Sequence, residues 1–145
     1  MVTADALDRL APSGGWPAWV SCAPYLSDAH PGAADPRPLG EGANCQRYAY
    51  AVLALFAREV PPHRSSELWA DPRFGNPPRD DARDLDLALF GRSENAWGAH
   101  VAVVVGDVLL HLCAEVGRPA TWRWSDFAER ERYSHLVGLV RVAPN

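Results

Sequence analysis

Of three cysteines and five histidines in this 145-residue chain, Cys45, His100 and His111 have the settings that covalent chemistry needs. A thiol attacks as its thiolate, so it needs a base nearby and surroundings that lower its pKa. Cys45 opens the run NCQRYAYAVLALFARE, in which Cys45, Tyr48, Ala49, Val52, Leu55 and Phe56 share one face at helical spacing. This predicts a helix over residues 45–58, with Asn44 as its N-cap and Pro61 and Pro62 beyond its end. At the first helical position the dipole and the unpaired amides favour negative charge, on a thiolate and on the oxyanion of a tetrahedral intermediate alike. Cys22 and Cys113 lack that setting.

The base is to be sought on a hairpin. HVAVVV (100–105) and VLLHLC (108–113) flank Gly106-Asp107, a two-residue loop whose leading Gly suits a type II′ turn. Val105 then faces Val108, His100 faces Cys113 and Ala102 faces His111, all four of the latter on one side of the sheet. Diagonal neighbours of this kind lie about 7 to 8 Å apart at Cα, close enough for one imidazole to orient the other. If His100 meets Cys45 across the helix–sheet interface, nucleophile, base and orienting group are all present.

Residue types and spacing alone leave other assignments open. A cysteine on the buried face of an Ala-rich helix is often a small core hydrophobe, and histidines on strands often make ordinary hydrogen bonds. A metal site is the weakest alternative, because Asp107 and Glu115 sit in the turn or beyond the strand without ligand spacing.

The elements that must position these residues are those of an α+β domain. DLDLALF (84–90) and YSHLVGLVRV (133–142) add two strands to the hairpin, for four in all. A short helix is expected within residues 63–71, capped by Ser65 or Ser66. Another is expected in WSDFAERERY, capped by Ser125, with Trp122 and Trp124 at its entry. Residues 27–42 and 72–83, dense in Pro, Gly and Asp, are expected as loops, and residues 1–24 hold one amphipathic piece over 4–10. A chain of 48% hydrophobic and 22% charged residues and this length implies one domain, residues 1–145, with helices packed on a small antiparallel sheet.

All 14 basic residues are Arg, and they form no cluster in a chain of net charge −4, which argues against nucleic acid as a partner. No apolar stretch suits a membrane span, and MVTADALDRLAPSGGW is acidic where a secretory leader would be basic, so a cytoplasmic protein with no membrane partner is expected. Three widely spaced cysteines without a CxxC pair predict free thiols.

Taken in order, these blocks resemble the NlpC/P60 cysteine peptidases, whose fold is a pared-down papain. Asn44-Cys45 matches the Asp/Asn-Cys of that family, VPPHRSS (Val60 to Ser66) its Val/Leu-Pro-Arg-Ser/Thr-Ser stretch, and LDLALF its Gly-Asp-Leu-Val-Phe-Phe strand. HVAVVVG (His100 to Gly106) is similar to its His-Val-Gly-Ile-Tyr-Val-Gly strand, and His111 stands where its third polar residue does. The resemblance spans about residues 22 to 142. It implies a Cys45–His100–His111 triad, Tyr25 as a helper at the oxyanion site, and Arg64, Ser65 and Ser66 near the substrate. Proximity adds Trp97, three residues before His100, as a shield over a thioester. Departures are Cys45-Gln46-Arg47 in place of Cys-Ser-Gly, a long Pro-rich loop before Cys45 in place of a Gly-Gly turn, and the absence of wall-binding repeats.

The function expected is therefore amide hydrolysis through an acyl-thioester, without metal or cofactor, on a small peptide or a peptidoglycan fragment, γ-glutamyl links included. Transfer of the acyl group to an amine or alcohol is the alternative within enzymes, and a binding module that keeps the fold without turnover is the alternative outside them. His30 and His63 are expected in solvated loops, His63 near enough to Arg64 to touch an acidic substrate group, and His135 is assigned no role.

Overall fold

Period-3.6 and period-2 apolar patterns are both realised along this chain. In the computed structural model, which describes residues 1–145, the helices are α1 (Ala4–Arg9), α2 (Trp19–Cys22), α3 (Cys45–Ala54), α4 (Ser65–Ala70) and α5 (Trp124–Ala128). The strands are β1 (Leu87–Gly91), β2 (His100–Val105), β3 (Val108–Leu112), β4 (Pro119–Trp122) and β5 (His135–Val140). They form one antiparallel sheet in the order β4-β3-β2-β1-β5. The fold is thus α+β, with five strands instead of the expected four.

The missed strand is PATW. Pro119 cannot donate to a ladder, so it speaks against a central strand, but it is tolerated at the first residue of an edge strand. β4 is that edge, and Trp122, expected only to flank a helix, belongs to it. The N-terminal segment closes the far side, where Thr121 N–H donates to Met1 O at 3.2 Å.

The sheet is covered on both faces. One face carries Leu87, Leu89, Val101, Val103, Val105, Leu110 and Leu112 and packs under α3 through Tyr48, Ala49, Val52 and Leu53. The other carries Ala88, Phe90, Ala102, Val104 and Leu109 and packs on Phe127 of α5 and on Tyr133. Burial on both sides explains why β2 is buried at every position and why LALF does not alternate in exposure. The hairpin has the expected register, Val105 opposite Val108 and Val103 opposite Leu110. Gly106 takes a φ of 62° while Asp107 does not enter the left-handed region, as a II′ loop requires.

Four boundaries differ from expectation for local reasons. α3 ends at Ala54, not at residue 58, because Arg58 N–H donates to Leu53 O and Ala57 N–H to Ala54 O, both at 3.1 Å. Ala57 turns left-handed at φ 59°, which makes this a Schellman-type stop before the prolines are reached. α4 is not capped by a serine: Arg64 is its N-cap residue, and the Glu67 carboxylate accepts from Arg64 N–H at 2.9 Å. α5 is entered likewise, with Asp126 accepting from Arg123 N–H at 2.9 Å and Ser125 inside the helix. The segment from residue 133 is not wholly strand, since Glu131–Tyr133 is a single 3₁₀ turn that sets Tyr133 against the sheet before β5 begins. No helix is long and apolar enough to cross a membrane.

Candidate functional site

The N-cap at Asn44 fixes where the thiol sits. Asn44 Oδ1 accepts from Arg47 N–H at 2.9 Å, which starts α3 at Cys45 and leaves the thiol half-buried at the end of the sheet. Arg47 does not enter the cleft. Its guanidinium donates to Gly42 O at 3.1 Å and to Arg37 O, and so laces the Pro-rich loop to the start of the helix.

Cys45 lines a cleft of about 640 Å³ together with Tyr25, Gln46, His100, Cys113 and Tyr133. The backbone amides of Val101 and Gln46 are directed at its sulfur. That places the thiol over the first residues of β2, but His100 itself projects from the opposite face of the sheet, the one that carries Ala102 and Cys113. The two side chains therefore line one cleft without facing each other across the α3–sheet interface, which is where the sequence predicts their meeting. No hydrogen bond joins Cys45 Sγ to His100 in this conformation.

The two histidines do meet. His100 Nε2 lies 2.9 Å from His111 Nδ1, with ring centroids 5.0 Å apart and planes nearly perpendicular. Both are buried, His100 at 7% exposure and His111 at 0%. Their surroundings are aromatic: Tyr133 is 4.7 Å from His100, and Trp122 and Phe127 are 4.3 and 4.8 Å from His111 between centroids. Arg130 stacks on Trp122 at 3.9 Å and pairs with Glu115 at 2.9 Å, which holds this wall in place.

The tautomer has a consequence for chemistry. If His100 Nε2 carries the proton it donates to His111 Nδ1, and His100 Nδ1 keeps a free lone pair that can take a proton from a thiol. The opposite tautomer would leave no basic nitrogen on His100 outside the pair. His111 Nε2 is buried without a hydrogen-bond partner, so its protonation is the cost of the productive arrangement.

Burial sets the charge states. It pushes the Cys45 thiol up to about 11, against the downward pull of the Val101 and Gln46 amides. The expectation that a helix start lowers this pKa is thus reversed, because removing the sulfur from water outweighs the stabilisation by amides. Both histidines are held below the usual imidazole range, by burial above all, with the Arg132 charge adding to the effect at His100. Burial thus favours the neutral thiol and the neutral imidazoles over their charged forms. Alkylation of Cys45 by iodoacetamide should accordingly still accelerate about tenfold per pH unit from pH 8 to pH 10. A plateau reached below pH 8, followed by mass spectrometry of the Cys45 peptide, would show instead a thiolate formed at rest.

The other expected residues divide. Tyr25 lines the cleft, and burial followed by the nearby Cys45 and Cys113 raises its phenol. Arg64 and Trp97 line it too, Trp97 being 78% exposed. Ser65 is taken up elsewhere: its hydroxyl donates to Ala96 O at 2.7 Å and accepts from Ala99 N–H at 3.1 Å. It thereby holds the loop that leads into His100, and Ser66 does not line the cleft. His63 turns to Asp71, at 2.8 Å, and does not line the cleft. His30 meets Pro31 O at 2.9 Å. Cys22 is exposed and bonded to Ala18 O, and Cys113 is a buried thiol in the cleft wall, raised by burial.

Sequence reasoning missed Gln46, Arg132 and Tyr133. Gln46 Oε1 is a buried acceptor without a partner in the cleft wall, and only its position next to Cys45 pointed to it. Arg132 and Tyr133 reach the site from a turn some thirty residues beyond His100, and no spacing rule connects them to it. No group of three or more His, Cys, Asp or Glu side chains is placed to hold a metal ion. No protein-family model and no curated protein matches this chain.

Proposed function

We propose that this protein is a cysteine hydrolase of amide bonds with a papain-like, NlpC/P60-type fold. Cys45 is the nucleophile, His100 the base and then the acid, and His111 the group that orients His100. The observation that carries the reading is the 2.9 Å hydrogen bond between two buried imidazoles, of which His100 lines the cleft that also holds a thiol at a helix start.

The charge states favour attack concerted with proton transfer. As the sulfur bonds to the carbonyl carbon, its proton passes to His100 Nδ1, and the imidazolium formed is stabilised through Nε2–H to His111. The oxyanion is met by first-turn amides of α3, with the Tyr25 phenol at hand. His100 returns the proton to the leaving amine, and water, deprotonated by the same nitrogen, releases the acid from the thioester. The orphan acceptor Gln46 Oε1 suits an amide N–H of the substrate, which would satisfy it.

Short peptides, cell-wall stem peptides included, are the first substrates to try. Incubated with the wild type they should give a hydrolysed product by mass spectrometry, together with an acyl adduct on Cys45, and neither with Cys45→Ala. Product formed equally by the variant would remove Cys45 from the mechanism. The missing hydrogen bond between Cys45 and His100 favours a second reading, a binding module that has kept the fold. Peptide binding without adduct or product would select it.

A further inference from the structure

The charge of the cleft runs against that of the chain. Acidic side chains outnumber basic ones by 18 to 14, yet none of the 19 residues lining the cleft is Asp or Glu, and three are Arg. Arg92 is paired with Glu131 at 2.8 Å. Arg64 and Arg132 take part in none of the ion pairs of the structure.

Arg132 is linked to His100 through Tyr133. It belongs to the Glu131–Tyr133 turn, its guanidinium lies 5.9 Å from the Tyr133 ring, and that ring lies 4.7 Å from His100. Its charge reaches His100, Tyr25 and Tyr133 alike. A guanidinium presents paired N–H donors matched to a carboxylate or phosphate, and a cleft lined with one sign of charge concentrates ligands of the other. Glu67, the acidic residue one turn on, accepts from the backbone N–H of Arg64 and forms no ion pair with its guanidinium.

We propose that Arg132, with Arg64 as a second cation in the same cleft, anchors an anionic group of the substrate, a carboxylate or a phosphate, next to the bond that is cleaved. This rests on the amide-hydrolase reading and names its substrate class. It also ties proton transfer to binding: an unpaired guanidinium opposes the imidazolium form of His100, and an anion paired with it removes that opposition.

The thiol itself is a probe of this field. At pH 9 the ratio of alkylation rates by iodoacetate and iodoacetamide should be about fivefold higher at Cys45 than at exposed Cys22, should fall by more than half in Arg132→Gln, and should fall to the Cys22 value in about 1 M salt. An equal or lower ratio at Cys45 overturns the proposal. Calorimetric titration of Cys45→Ala with glutarate and with inorganic phosphate gives a readout that needs no reactive thiol. Binding of either, lost with Arg132→Gln, supports the anion site and tells carboxylate from phosphate. Binding of neither, or binding indifferent to Arg132, overturns it. A failed peptide panel with Arg132-dependent anion binding intact would reject hydrolysis and keep the anion site.

Discussion

His111→Ala is expected to lower kcat/KM for an amide substrate of this cleft by about 10³- to 10⁴-fold, nearly all of it in kcat. Such a loss corresponds to about 4 to 5.5 kcal/mol of transition-state stabilisation. In the proposed mechanism it arises because His111 acts through His100: without an acceptor at 2.9 Å the productive tautomer is no longer selected and the imidazolium has a buried, unpaired N–H. His111 does not line the cleft, so substrate binding is expected to change little. The alanine variant also opens a cavity beside Trp122 and Phe127, and its folding must be checked by urea denaturation. His111→Gln fills most of that space and offers a carbonyl oxygen to His100 Nε2–H, so it should recover activity to within about tenfold of wild type. Full activity in a folded His111→Ala protein would refute the orienting role. Equal loss in both variants would point to packing alone.

Local rules made one half of this site legible and left the other half hidden. Asn44 and Cys45 are adjacent, and the cap that fixes them is a contact over three residues, so the start of α3 could be placed from sequence. The register of β2 and β3 follows from a two-residue loop, and with it the shared face of His100 and His111. Which face that was could not be read. β2 is buried at all six positions, so alternation carries no signal, and α3 in fact covers the other side. That His100 and Cys45 do not face each other across the α3–sheet interface follows from that hidden choice.

The resemblance to a known family was carried by residue types, and some of those residues have other partners here. Ser65 is a structural serine that pins Ala96 and Ala99, and His63 is held by Asp71. Conversely, Arg132 and Tyr133 reach the cleft only because the turn after α5 packs on the sheet, a long-range contact without a local signature. The pKa of Cys45 was misjudged for a related reason. A helix start is visible in sequence, whereas the desolvation that outweighs it depends on what covers the thiol.

Burial of the same two imidazoles should make the fold acid-sensitive, with stability expected to fall by about 4 kcal/mol between pH 7 and pH 5 from this source. Both rings are held neutral in the folded state, their pKa values depressed by burial first, then by Arg132 at His100 and by His100 and Arg130 at His111. In the unfolded chain they return to about 6.5, so below that pH the unfolded state binds up to two more protons than the folded one. A depressed imidazole pKa therefore costs no stability above about pH 7 and destabilises the fold progressively as pH falls. The loss approaches about 2.7 kcal/mol per pH unit for two protons at about 1.36 kcal/mol each. Against a total stability of about 5 to 15 kcal/mol for an ordinary domain, that is enough to bring the protein near its unfolding midpoint. Urea denaturation followed by tryptophan fluorescence at pH 7, 6 and 5 measures it. The double variant His100→Gln/His111→Gln should have the flatter profile, since His30, His63 and His135 remain in both proteins and their contribution cancels. A wild-type stability constant to within about 1 kcal/mol over this range would mean that the pair takes up a proton while folded. Such a proton would occupy His100 Nδ1 or the His100–His111 hydrogen bond, and the neutral resting base on which the proposed chemistry depends would be lost.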